Sequence, residues 1–280
     1  MADPATPLLI DTGFGERAVS SIDEDHLRRV AACLDRDGDA VVVTGRVPTL
    51  WHWAFFLPAV PTSALGLDGH PRRREEMLAF PRRMLGAGRV RVHEPLRIGE
   101  PATRASAVTS AQLKGGSTGA FWVVTVTHEI EQRGELCITE EQDVLLRSAG
   151  TTGPPGAART DAPAPDAAWI ESRTPDEALL FRFSAVTFNA HRIHYDRSYA
   201  VDVEHYPDLV VHGPLTAIWL ATLVEARSTQ PIRALRFRAT APLFVHQPMW
   251  LTGGPRDGGA TVTAIRGDHV AAMTLDAEYA

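Results

Sequence analysis

Lysine is almost missing from this 280-residue chain: Lys114 stands alone among 28 cationic side chains, the rest being arginine. With 34 carboxylates the net charge is −6, so no basic surplus points to a nucleic-acid partner. The arginine bias by itself carries no functional weight. Cysteine is scarce too. Cys33 and Cys137 lie far apart and neither belongs to a C-x-x-C or zinc-ligand spacing, which excludes a disulfide framework and a cysteine-built metal site. Long apolar runs are absent. No window approaches the roughly 20 residues that span a bilayer, and residues 1–11 lack a basic start followed by an apolar core, so neither a membrane span nor an export signal is read. The expectation is a cytoplasmic protein without membrane association.

What is present is a globular composition, 44% hydrophobic and 22% charged, in a chain long enough for two domains. The clearest boundary is residues 149–168, rich in glycine, proline and alanine and poor in large apolar side chains, which reads as a linker. It separates an N-terminal domain, residues 1–148, from a C-terminal one, residues 169–280. On either side the same order of elements recurs: an early helix, a second and strongly apolar helix, then a run of strands.

In the first half, Ser21-Ile22-Asp23-Glu24 matches a capping box, predicting a helix to about Asp35 with Leu27, Val30, Ala31 and Leu34 on its buried face. Residues 48–58, bounded by Pro48 and Pro58, read as a short buried helix. An arginine-rich loop follows, with Arg72, Arg73 and Arg74, then Arg82 and Arg83. Alternating and β-branched stretches at 88–93, 103–109, 118–128 and 136–146 predict an antiparallel sheet. In the second half, residues 175–187 approach a histidine-rich segment whose first residues, from Phe183, look strand-like. Residues 214–226 form an apolar helix, and 232–240, 250–253, 260–266 and 271–277 read as strands. A sheet wrapped around one helix that is hydrophobic nearly all round gives an α+β class of two tandem hot-dog domains.

The chemistry concentrates in Asn189-Ala190-His191-Arg192-Ile193-His194-Tyr195-Asp196 and in Val210-Val211-His212-Gly213-Pro214. The second segment puts a glycine at the start of the apolar helix, where unpaired amides face outward. A loop acid/base beside a helix-start donor suits formation of an enolate. These segments resemble the MaoC-like hydratases, whose signature runs G-D-x-N-P-x-H with a downstream H-G. The run from Thr187 to Asp196, the run from Leu209 to Thr216 and the first-half segments around Trp51, Gly69-His70 and Phe80-Pro81 look like its two-domain branch of mesaconyl-C4-CoA, itaconyl-CoA and type 2 3-hydroxyacyl-thioester enzymes.

That resemblance implies a lyase that adds water reversibly, in syn fashion, across a 2,3-enoyl thioester. CoA or pantetheine would enter as part of the substrate, with no metal or other cofactor. It implies His194 as acid/base, Gly213 as amide donor to the enolate oxygen and Asn189 as a water-orienting amide in place of the usual aspartate. Arg192 is expected to bind a substrate carboxylate, and His212 to stand beside or behind the site. Trp51 is either core or acyl pocket; Arg82 and Arg83 either face solvent or meet CoA phosphates. His191 is read as structural, and Asp196 as the cap of a helix near Arg197. A hot-dog thioesterase is the competing enzyme, with Glu225 as the only acid on the apolar helix; a non-catalytic thioester-binding subunit is the third reading. The chain is either a monomeric pseudo-dimer or a homo-oligomer.

Overall fold

The computed structural model describes residues 15–72, 80–116, 119–148 and 163–280. Arg73 and Arg74, and residues 149–162 of the expected linker, lie outside the described residues. Ten antiparallel strands form one sheet: β1 (Gly15–Ser21), β2 (Arg82–Val92), β3 (Pro101–Gly116), β4 (Gly119–Gln132), β5 (Glu135–Arg147), β6 (Trp169–Arg173), β7 (Ile232–Ala239), β8 (Met249–Arg256), β9 (Gly259–Arg266) and β10 (Ala271–Tyr279). Their order is β1-β3-β4-β5-β2-β7-β10-β9-β8-β6. Outward from the centre, 2-5-4-3-1 on one side matches 7-10-9-8-6 on the other with every number raised by five. The repeat expected from the order of elements is thus present strand for strand. The seam is the ladder from Ala87↔Arg238 to Arg91↔Ala234, which joins the halves as a pseudo-dimer within one chain.

The C-terminal half closes its sheet around α4 (Gly213–Glu225). Leu215, Ile218, Leu220, Leu223 and Val224 are all buried, as is Trp219. A helix apolar on every side is stable only inside such a wrap, where each large side chain contributes about 1.5–3 kcal/mol. Pro214 in its first turn loses nothing, because that N–H has no helical acceptor.

The N-terminal half has no such helix among its described residues. Residues 48–58, expected to be helical, form only a 3₁₀ turn, Trp51–Ala54. Leu50 (φ 68) and Phe56 (φ 56) are left-handed on either side of it, and each such residue costs roughly 1–2 kcal/mol. The turn is held by side chains: His52 Nε2 and Trp53 Nε1 donate to the buried Glu140 carboxylate at 2.8 and 2.7 Å. Trp51 is wholly buried.

Three other expectations are corrected. Helix α1 (Glu24–Cys33), followed by the short α2 (Gly38–Val43), is capped by Asp23, which accepts from His26 N at 2.8 Å; Ser21 instead pairs with Pro101 in β1. Residues 183–188 do not approach the motif as a strand. Asp176 caps α3 (Glu177–Val186), and Leu180, Phe183 and Ser184 are buried at helical spacing. Arg82 and Arg83 belong to β2 and not to a loop. No described helix is long and apolar enough to cross a membrane.

Candidate active site

The loop after α3 is built to a tight plan. Phe188 turns left-handed (φ 49), Asn189 N donates to Ser184 O at 2.8 Å, and Asn189 Oδ1 accepts from His191 N at 2.9 Å. Because a backbone N–H needs an acceptor, that bond fixes which end of the amide is oxygen. The Asn189 –NH₂ remains a donor without a partner among the described residues, and Asn189 lines the cavity. The N-terminal half clamps this loop: Arg192 N donates to Asp68 O at 2.9 Å, and a Cβ on Gly69 (φ 86) would meet Ala190 O at 1.8 Å. Only glycine lets the two backbones approach so closely.

Arg192 is a staple. Its Nη2 and Nε hold Asp196 Oδ2 at 2.7 and 3.0 Å, Nη1 donates to Leu67 O at 3.0 Å, and the guanidinium lies 4.3 Å over the Tyr199 ring. It does not line the cavity, so the expected carboxylate contact is not there. Asp196 Oδ1 accepts from Ser198 Oγ and Tyr199 N, capping the helical stretch that begins at Arg197, as expected.

His194 ends the 3₁₀ turn Arg192–His194 and is buried. Its Nδ1 lies 2.7 Å from Val210 O. A carbonyl can only accept, so Nδ1 carries the proton and Nε2 keeps a free lone pair. Burial lowers the His194 pKa to about 4, with the Val210 bond opposing the shift. His191, 5.4 Å away edge-on, is pushed down to about 2 by burial and by His70 and His194. The His212 ring stacks on His194 at 3.6 Å, and burial lowers its pKa well below the ordinary value. At neutral pH all three rings are uncharged. His212 is completely buried, shares a 2.8 Å bond with Ser184 Oγ, and leaves Nδ1 without a partner. It stands behind His194 and does not line the cavity.

Gly213 opens α4 beside this cluster. Its N–H has no partner among the described residues, and the helix dipole adds partial positive charge there. A Cβ at Gly213 would meet only Leu85, at an ordinary 3.5 Å. Neither backbone conformation nor packing demands glycine at this point.

Asn189, His191, His194 and Gly213 border one cavity of about 980 Å³. It continues into the N-terminal half, where the missing helix leaves room, and its far wall is Trp53, Arg104, His128 and Gln142. Arg83 is exposed and borders it. Arg82 does not: it is buried against Glu204 and over the Tyr206 ring. Trp51 is core, the first of the two places left open for it, and Trp53 lines the cavity instead. That reading missed His70, whose ring lies 4.4 Å from His191, and the polar far wall. Gly69-His70 was visible as a motif, but nothing in it indicated that the two halves meet there. Glu225 lies at the far end of α4, accepting from Thr49 N at 3.1 Å, outside this cavity.

The set offers a neutral buried imidazole with a free lone pair, an amide donor able to hold water and a backbone N–H on a dipole. Comparisons with known proteins agree with that chemistry. A family model described as hydroxyacyl-thioester dehydratase type 2 matches residues 50–245. Mesaconyl-C(4)-CoA hydratase of Chloroflexus aurantiacus is 42% identical over 250 residues, covering 89% of each chain. Among solved structures, HtdX of Mycobacterium tuberculosis superposes with a TM-score of 0.68 at 16% identity, covering 95% of this chain and 100% of its own. Another M. tuberculosis protein, described as having a double hot-dog fold, gives 0.56 at 12% identity over 96% of both chains.

Proposed function

The chain belongs to the hydroxyacyl-thioester dehydratase type 2 family, and from that premise we propose a hydro-lyase that adds water reversibly across the 2,3-double bond of a branched or dicarboxylic enoyl-CoA. The observation that carries this reading is His194 Nε2, held as a free base by the Nδ1–Val210 bond on the same cavity as the unpaired Gly213 amide. Water sits between the Asn189 amide and His194. As Nε2 takes one proton, the oxygen bonds to the β-carbon and the π pair moves through the α-carbon onto the thioester oxygen. Gly213 N–H and the α4 dipole stabilise that enolate. The imidazolium then returns its proton to the α-carbon, so the same ring serves as base and acid.

Asn189 cannot carry a proton as a carboxylate would, which leaves His194 to make both transfers. The low His194 pKa suits this: the ring is ready as a base at neutral pH, and once protonated in a dry site it gives the proton up readily. Dehydration of a 3-hydroxyacyl thioester is the same path reversed, and the family description favours it as the second reading. A thioesterase would need its carboxylate at the thioester, whereas Glu225 is tied to Thr49 elsewhere.

Incubation with mesaconyl-C4-CoA, itaconyl-CoA and crotonyl-CoA tests the proposal. The expected result is loss of enoyl absorbance with no release of free thiol. Thiol release would favour the thioesterase, and neither change would favour a binding subunit.

A further inference from the structure

The far wall of the cavity carries a charge that no described residue pairs with. Arg104, on β3, is flanked by Ala18 and Ile130 on the neighbouring strands and lines the cavity. Its guanidinium lies 5.4 Å from the Phe56 ring centre. It makes no hydrogen bond or ion pair with a described residue, and its Nε is buried without a partner. Two carboxylates are near enough to act on it through space, Glu16 and Glu140, but neither pairs with it. Glu140 already accepts from His52, Trp53 and the Gln142 amide at 2.7–2.8 Å.

A guanidinium is charged at any working pH and offers five donors in a planar fork. Holding it partly desolvated without a counter-ion is costly, and the cost is recovered when an anion arrives. The neighbouring side chains are also polar: His128 Nδ1 bonds Ser106 Oγ at 2.8 Å, and Gln142 shares the wall. An alkyl tail would bury against the apolar lining but would leave these polar groups without partners. Arg83 and Arg147 also border the cavity, but each already interacts with other groups of the chain; Arg192 is spent on Asp196 and Leu67 O.

We propose that Arg104 is the anion anchor of the acyl pocket, pairing with a carboxylate at the end of the acyl group remote from the thioester and so selecting dicarboxylic over alkyl thioesters. This rests on reading the cavity as the acyl site, and goes beyond it in naming the residue that sets substrate class. Calorimetric binding of saturated thioesters tests it without requiring turnover: glutaryl-CoA and adipyl-CoA against pentanoyl-CoA and hexanoyl-CoA.

The wild-type protein is expected to bind at least one diacid thioester about tenfold or more tighter than its alkyl counterpart, as a charge-assisted fork allows. In R104Q that ratio should fall to near unity, and R104K, which keeps the charge but not the fork, should lie between. Equal affinity for both series in the wild type, or a preference that survives in R104Q, would overturn the assignment to Arg104 and leave the cavity reading intact. Failure of the wild type to bind any of the four would overturn both.

Discussion

In the C-terminal half the strand order 7-10-9-8-6 closes on α4, thirteen residues whose large side chains are hydrocarbon and buried. In the N-terminal half the matching order 2-5-4-3-1 closes on a four-residue turn, a buried carboxylate with three donors, and open space. The difference separates labour. The filled half packs a helix N-terminus and a stacked pair of histidines against a dense apolar core; the hollow half holds the rest of the cavity. The loop holding Asp68 and Gly69 ties the two, pressing on the backbone of Ala190 and Arg192.

The comparison can be broken most severely at His194, which has no counterpart in the hollow half. His194→Gln should lower kcat by about 10²–10⁴-fold, read from the progress of enoyl absorbance, while circular dichroism stays native. Next come substitutions that ask what holds each half. Leu223→Ala removes hydrocarbon from α4 and should cost about 2–5 kcal/mol in urea unfolding. Glu140→Leu, which strands the His52 and Trp53 donors, should cost about 3–5 kcal/mol. A small Glu140 effect would mean that the polar cluster is ornamental and the hollow half is held by its strands alone.

A third test is acid. His191 and His194 have folded pKa values of about 2 and about 4, both below the ordinary 6.5, and His212 is depressed as well. As pH falls below 6.5 the unfolded chain binds protons first, so their contribution is complete above 6.5 and is lost progressively toward about 4 for His194 and lower for His191. The urea midpoint should therefore be lower at pH 5 than at pH 7.5, and His194→Gln should flatten part of that dependence. The smallest effect on the fold is expected at Gly213. Gly213→Ala meets only Leu85 at 3.5 Å, so stability should shift by no more than about 1 kcal/mol while kcat drops at least about tenfold through obstruction of the oxyanion amide.

Much of this was legible in the sequence where local pattern and global fold agree. Eight of the ten strands alternate or run β-branched, α4 is apolar on all sides, and the spacing of His194 from Gly213 survives intact. The exceptions have physical causes. Residues 48–58 have helical composition, but Leu50 and Phe56 turn left-handed, and Glu140, 87 residues beyond Trp53, decides the conformation. Strands β1 and β6 are short edges with mixed exposure and carry no strong periodicity. Arg192 looked free for substrate because an i,i+4 partner, Asp196, had been assigned only to capping, and its carboxylate does both jobs with different oxygens. Arg104 was invisible because an arginine in an alternating strand reads as solvent-facing until the wall opposite is found to be hollow.

The pH dependence of kcat/KM for hydration addresses the central claim, that a buried and neutral His194 is the base. Its acid limb should fall with an apparent pKa near 4 and vanish in His194→Gln along with the activity. A limb near 6.5, or one unchanged by the substitution, would contradict the account.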